Sequence, residues 1–100
     1  MIIGTTPTHT FNVPFETDSI KSIRVVYAQN DEAILVKKTK DCVLDGKVVS
    51  VTLTQEDTFL FDHKSPVEIQ LRVVPKSGGA LASIPKKVGV IKCLEDVVIE

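Results

Sequence analysis

From Lys47 to Val74 the chain reads as strand, tight corner, strand, with hydrophobic and polar positions alternating along both strands. Val49, Val51 and Leu53 alternate with Ser50 and Thr52, while Val67, Ile69, Leu71 and Val73 alternate with Glu68, Gln70 and Arg72. Strand side chains point to opposite faces with period 2, so each stretch buries one face and wets the other. Parallel strands covered on both faces would be apolar throughout, so the pattern predicts an antiparallel sheet packed on one side. Between the two stretches, Thr54-Gln55-Glu56-Asp57 reads as a capping box, with a Thr hydroxyl and an acidic group answering each other across one helical turn. Phe59 and Phe61 then drop back toward the core, and Asp62–Pro66 turns into the next strand.

The same reading extends along the rest of the chain. Phe11, Val13 and Phe15 share a parity near a first strand at Thr10–Val13, which Pro14 places at an edge or an end. Thr17-Asp18-Ser19 is a turn cluster with room for one helical turn started by Asp18 or Ser19. Ile23–Tyr27 and Ala33–Lys38 pair as a hairpin across Gln29–Glu32. A short strand at Cys42–Leu44 leads to Asp45-Gly46, read as a type I′ turn, which needs positive φ at both central residues. After the loose turn Lys76–Gly79, Leu81–Ile84 and Lys87–Lys92 supply two final strands, with Pro75 and Pro85 at their boundaries.

Seven to eight short strands at this spacing predict an all-β fold, a sandwich or a small barrel, and an antiparallel two-sheet β-sandwich fits the alternation best. The Thr54–Phe61 corner is reminiscent of the crossing between sheets in immunoglobulin-like domains. Trp is absent and the two Cys lack the immunoglobulin spacing, so "immunoglobulin-like" describes architecture alone. The expected core is Phe11, Val13, Ile23, Val25, Val49, Val51, Leu53, Phe59, Phe61, Ile69, Leu71 and Val90.

Composition adds few constraints. The 100 residues, 43% hydrophobic and 25% charged, read as one domain over residues 1–100, with no repeat, low-complexity tract or linker. A net charge of −1 gives no footprint for nucleic acid or for an anionic membrane. The one dense basic spot, Lys37, Lys38 and Lys40, reads as a solvated strand end. Met1-Ile2-Ile3 is too short for a signal peptide, and no apolar run approaches the roughly 18 residues of a membrane span. Expected, therefore, is a chain made and kept inside a cell, or assembled there into something released later. In a reducing compartment Cys42 and Cys93 read as two buried thiols in preference to a disulfide.

Candidate chemistry is sparse. His9, in a polar stretch, and His63, beside Asp62 and Lys64, are the only imidazole bases, and no G-x-S-x-G nucleophile motif accompanies them. Glu56-Asp57 fits the electrostatics of a helix start better than a glycosidase or calcium site. Gly78-Gly79 lacks the G-K-[ST] of a phosphate loop. Arg24, Arg72 and Tyr27 could form an exposed patch, but the overall acidic balance argues against nucleic acid. The expectation is a chain with no catalytic, cofactor-binding or metal-binding residue.

The stretch Gly4–Gln29, with its G-T-T-P-T-H-T-F start, together with L-T-Q-E-D-T-F-L-F at Leu53–Phe61 and V-E-I-Q-L-R-V-V at Val67–Val74, resembles a group of small phage and prophage proteins of Gram-positive bacteria. The resemblance spans nearly the whole chain and departs at Ile84-Pro85-Lys86. More distantly, the chain resembles β-sandwich modules of tail and baseplate proteins. What this implies is a non-catalytic structural or interaction module, a virion accessory component whose partners are further copies of itself or phage structural proteins. It would reside in the cytoplasm of the bacterial host or in the particle. The alternative is a small intracellular binding domain for a host protein or a carbohydrate, which would need a concave, aromatic-lined pocket that five scattered aromatics disfavour.

Overall fold

The alternating residues Val67, Ile69, Leu71 and Val73 are all buried and form the spine of the larger of two antiparallel sheets. The computed structural model describes all 100 residues. Its strands are β1 (Thr8–Asn12), β2 (Ile20–Gln29), β3 (Glu32–Lys38), β4 (Cys42–Asp45), β5 (Val48–Thr52), β6 (Val67–Pro75), β7 (Leu81–Ala82) and β8 (Lys86–Val88), with one helical turn, α1 (Gln55–Thr58). The smaller sheet runs β1-β5-β4; the larger runs β3-β2-β6-β7, with β8 also paired to β6. The inner faces meet in one core that includes Val13, Ile23, Val25, Tyr27, Val49, Val51, Leu53 and Phe61. The all-β expectation and the two antiparallel sheets are therefore seen directly.

Of the expected core, Phe11, Phe59 and Val90 are only half-buried, while Ile3, Ile20, Tyr27, Val67 and Val73 are buried as well. Ile20 escapes a period-2 reading because the β2–β6 register shifts between Ile20 and Ser22, where Lys21 is the extra residue. A bulge of this kind flips the parity of everything on one side of it.

The two hairpin turns differ from the sequence reading. Asp45 pairs with Val48, so the central residues of that turn are Gly46 and Lys47, and only Gly46 has positive φ. That is the type II′ requirement, not type I′. Positive φ at both central residues occurs instead at Asn30 and Asp31, between the paired residues Gln29 and Glu32. Two short polar side chains tolerate the left-handed region and do the work expected of Asp-Gly.

The last two strands are pieces of one ladder. β7 and β8 both pair with the same edge of β6, with one extra residue between them at Ser83–Pro85. Ser83 spans the bulge: its N–H donates to the Leu71 carbonyl, and its Oγ accepts from the Leu71 N–H. Pro85 lacks a donor and Ile84 faces solvent, so the ladder breaks there.

The capping box forms as expected: the Thr54 side chain accepts from the Asp57 N–H, and the Asp57 carboxylate accepts from the Thr54 N–H. Two buried polar residues not anticipated from sequence hold the corners. Thr58 Oγ1 accepts from the Gly4 N–H, tying the N-terminal stretch to α1. Gln29, 5% exposed, donates to the carbonyls of Asp62 and Ser65 and accepts from the Asp62 N–H, so it clamps the loop into β6. Gln29→Leu keeps the volume and leaves those groups unpartnered. Its expected cost is about 1–3 kcal/mol, read as a lower urea midpoint at unchanged slope. A midpoint equal to the parent's would show that solvent replaces the clamp.

Candidate functional site

The side of the molecule where β1 faces β7 and β8 concentrates its unusual features. β3 passes to β4 through a 3-10 turn at Thr39–Asp41, so those two edges share the opposite side. Along the β1 side, the seam between the sheets has a closed half and an open half.

The closed half is polar and centres on His9. The sequence reading put His9 in a polar stretch ahead of the first strand; instead β1 begins at Thr8, and His9 stands opposite Val51 on the inner face. Its Nδ1 lies 2.8 Å from the hydroxyl of Tyr27, a fully buried residue. The His9 and Tyr27 rings, and in turn the Tyr27 and Phe61 rings, pack at centroid separations of 5.4 and 5.9 Å. Burial, then the Met1 ammonium and Lys86, push the His9 pKa below its usual value. Burial, then Cys42 and Asp57, push the Tyr27 phenol well above its own. Both groups are thus neutral at pH 7, and the pair shares one hydrogen bond. Beyond His9 the seam is shut by Met1–Ile3, whose ammonium donates to the Gly89 carbonyl and whose Ile2 bridges Ile91 in parallel.

Lys37 and Asp57 flank the same inner region. Lys37 is opposite Val25 on the inner face of the edge strand β3, and its ammonium sits 2.7 Å from the Asp57 carboxylate, both largely buried. This corrects the reading of Lys37 as a solvated strand end. Burial raises the Asp57 pKa, but hydrogen bonds from Lys37 and Thr54 outweigh it and hold the carboxyl below its usual value. Asp57 is therefore occupied structurally, its Oδ2 accepting from both the Thr54 N–H of the cap and the Lys37 ammonium. Cys42, half-buried, has its thiol pushed up by burial and by Asp41, away from the nucleophilic thiolate. Both cysteines are free thiols as expected, but Cys42 and Cys93 are half-buried, not buried.

The open half is an apolar cleft of about 540 Å³ between the free edges of β1 and β7. Phe11, Val13 and Phe15 form one wall, Leu71, Val73 and Leu81 the other, and Thr10, Asn12 and Ser83 supply polar groups at the rim. Sequence reasoning missed it because its two aromatics were counted as core or as scattered. Their shared parity with Val13 was the available signal, and Pro14 keeps the ladder from covering them.

The remaining candidates stay apart. His63 is exposed, 3.8 Å from the Asp62 carboxylate in the loop before β6. Glu56 is exposed on α1, and Gly78-Gly79 is an open turn with positive φ. Arg24 and Arg72 are directly opposite each other on the outer face of β2 and β6, while Tyr27 is on the inner face, so the three make no common patch. Nowhere do three His, Cys, Asp or Glu side chains converge as a metal would require. No helix is long and apolar enough to cross a membrane.

The His9 environment has a pH consequence. A base whose folded pKa is depressed gives stability that is full above the unfolded value, near 6.5, and lost as pH falls toward the folded pKa. Melting temperature should therefore decline as pH falls below about 7, and His9→Asn should flatten that decline. An equal slope in the variant would assign the effect to other groups. No protein-family model, curated protein or solved structure matches this sequence.

Proposed function

We propose that this chain is a non-catalytic interaction module of phage or prophage origin, an immunoglobulin-like β-sandwich serving as an accessory component of a tail or baseplate. The observation that carries the proposal is the amount of apolar surface left uncovered at strand edges and loops. Val43 is 69% exposed on the free edge of β4, Leu81 borders the open cleft, and Ile84 and Leu94 are almost wholly exposed. Surface of this kind, on edges with unpaired backbone groups, suits docking on other proteins, by β-augmentation among other modes. The sequence resemblance at Gly4–Gln29 supplies the phage context. A non-catalytic role fits a thiol and a phenol pushed away from their reactive forms, and a histidine engaged by that phenol. Balanced charge fits protein partners in preference to nucleic acid or membrane.

The cleft gives the alternative its own support. Phe11 and Phe15 line a concave space sized for a small ligand or peptide, so a binding domain for a host protein or carbohydrate in the bacterial cytoplasm is the second reading. Mass spectrometry of purified particles separates the two. Stoichiometric presence in virions supports the first; a chain found only in the host lysate retires it in favour of the second.

A further inference from the structure

We infer that the cleft between β1 and β7 receives the segment Leu94–Glu100 of a second copy of this chain, joining copies head to tail. The assembly presupposes the interaction-module reading and names its partner. Within one copy the cleft is apolar and open, while Leu94–Glu100 leaves much of its apolar side-chain surface uncovered: Leu94 is 98% exposed, Ile99 68% and Val97 55%. The accessible surface, 6383 Å², exceeds the roughly 5,600 Å² usual for a folded chain of this mass. Both deficits are removed if one fills the other.

Charge selects the pairing. From Ile69 through Leu94 the chain carries Arg72, Lys76, Lys86, Lys87 and Lys92 and no acidic residue. From Glu95 to Glu100 it carries Glu95, Asp96 and Glu100 and no basic one. The cleft lining itself is uncharged, and Lys86 and Lys87 of β8 continue the β7 edge just beyond Ser83, so a strand entering beside β7 with its acidic residues at that end lies next to lysines. Length also fits: Leu94–Ile99 extended spans about 20 Å, the same six residues' worth as Thr10–Phe15. The closed half of the same seam is already filled by an extended stretch of the chain, Met1–Ile3 against Ile91. Leu94–Glu100 would do the same for the open half.

The donor is another molecule because of where the segment lies in its own. Ile99 exchanges two hydrogen bonds with the side chain of Gln55 in α1, beyond the Thr52 end of β5. The cleft begins at Thr10 and runs toward the Val48 end. Donor and acceptor surfaces are thus different patches, a heterologous contact that propagates into a ring or a filament.

Sedimentation and light scattering over a concentration series test this. The full chain should grow in mass with concentration. Leu94→Ser/Val97→Ser/Ile99→Ser, or Leu81→Glu alone, should raise the apparent dissociation constant by about tenfold or more. Lys86→Glu/Lys87→Glu should do likewise, and adding Glu95→Lys/Asp96→Lys should restore assembly. All these positions are exposed, so circular dichroism should be unchanged. A labelled Leu94–Glu100 peptide should bind the triple-serine variant and not Leu81→Glu. A chain that stays monomeric and does not bind the peptide overturns the inference, as does an oligomer indifferent to both surfaces. So does a cleft that takes a soluble oligosaccharide in place of the peptide. Presence in virions is decided separately, so loss of tail exchange leaves the module reading standing on its own test.

Discussion

Ile69→Asp should abolish the cooperative unfolding transition and leave the chain unfolded or aggregated at 25 °C. Ile69, in β6, is 3% exposed and directly opposite Tyr27 on β2. A carboxylate there has no partner in the core, and its burial costs several kcal/mol, on the order of the whole stability of a small domain. Lys86 stands opposite Ile69 on β8 but is exposed, and it cannot follow the carboxylate inward without losing its own hydration. Arg72→Asp, three residues along on the wet face, is the control and should change stability by no more than about 0.5 kcal/mol. The contrast is read by urea titration followed by far-UV circular dichroism. If Ile69→Asp melted like the parent, β6 would not present this face to the core.

The same period-2 logic marks the limits of what the sequence discloses. β5 and β6 were legible because the alternation runs uninterrupted for five residues at Val49–Leu53 and for seven at Val67–Val73. Ile20 was not, because a bulge reverses parity between it and Ile23. The final ladder was read as two independent strands because Ser83–Pro85 breaks the alternation that would have joined them. His9 shows a different failure: surrounded in sequence by threonines, it looks solvated, and only pairing of β1 with β5 turns it inward. Residue type misled in the same way at Lys37, whose ion pair with Asp57 joins elements 20 positions apart. Long-range polar pairs leave no periodic trace. The cleft was hidden for a related reason, since what makes it a cleft is the absence of a strand between β1 and β7.

Removing the Tyr27 ring should be the other severe change, and its dissection locates the polar centre of the core. Tyr27 is fully buried, packs on Phe61 and His9, and carries its hydroxyl into the seam between the sheets. Tyr27→Ala deletes the largest fully buried side chain and should cost about 3–5 kcal/mol, since flanking β-strands cannot collapse to fill the space. Tyr27→Phe keeps the ring and deletes one hydrogen-bond partner, leaving half-buried His9 Nδ1 without the phenol; about 1 kcal/mol is expected. The ratio of the two decides what Tyr27 is for. A Phe variant nearly as damaged as the Ala variant would mean that the hydroxyl, with Cys42 and Asp57 nearby, organises the seam. A mild Phe variant assigns the stability to the ring. In a double-mutant cycle with His9→Asn, the hydroxyl's contribution should vanish once His9 is gone, because no other side chain is hydrogen-bonded to it. Urea midpoints of the four proteins at pH 7 measure that coupling directly, and additivity would show that the 2.8 Å contact contributes nothing to stability.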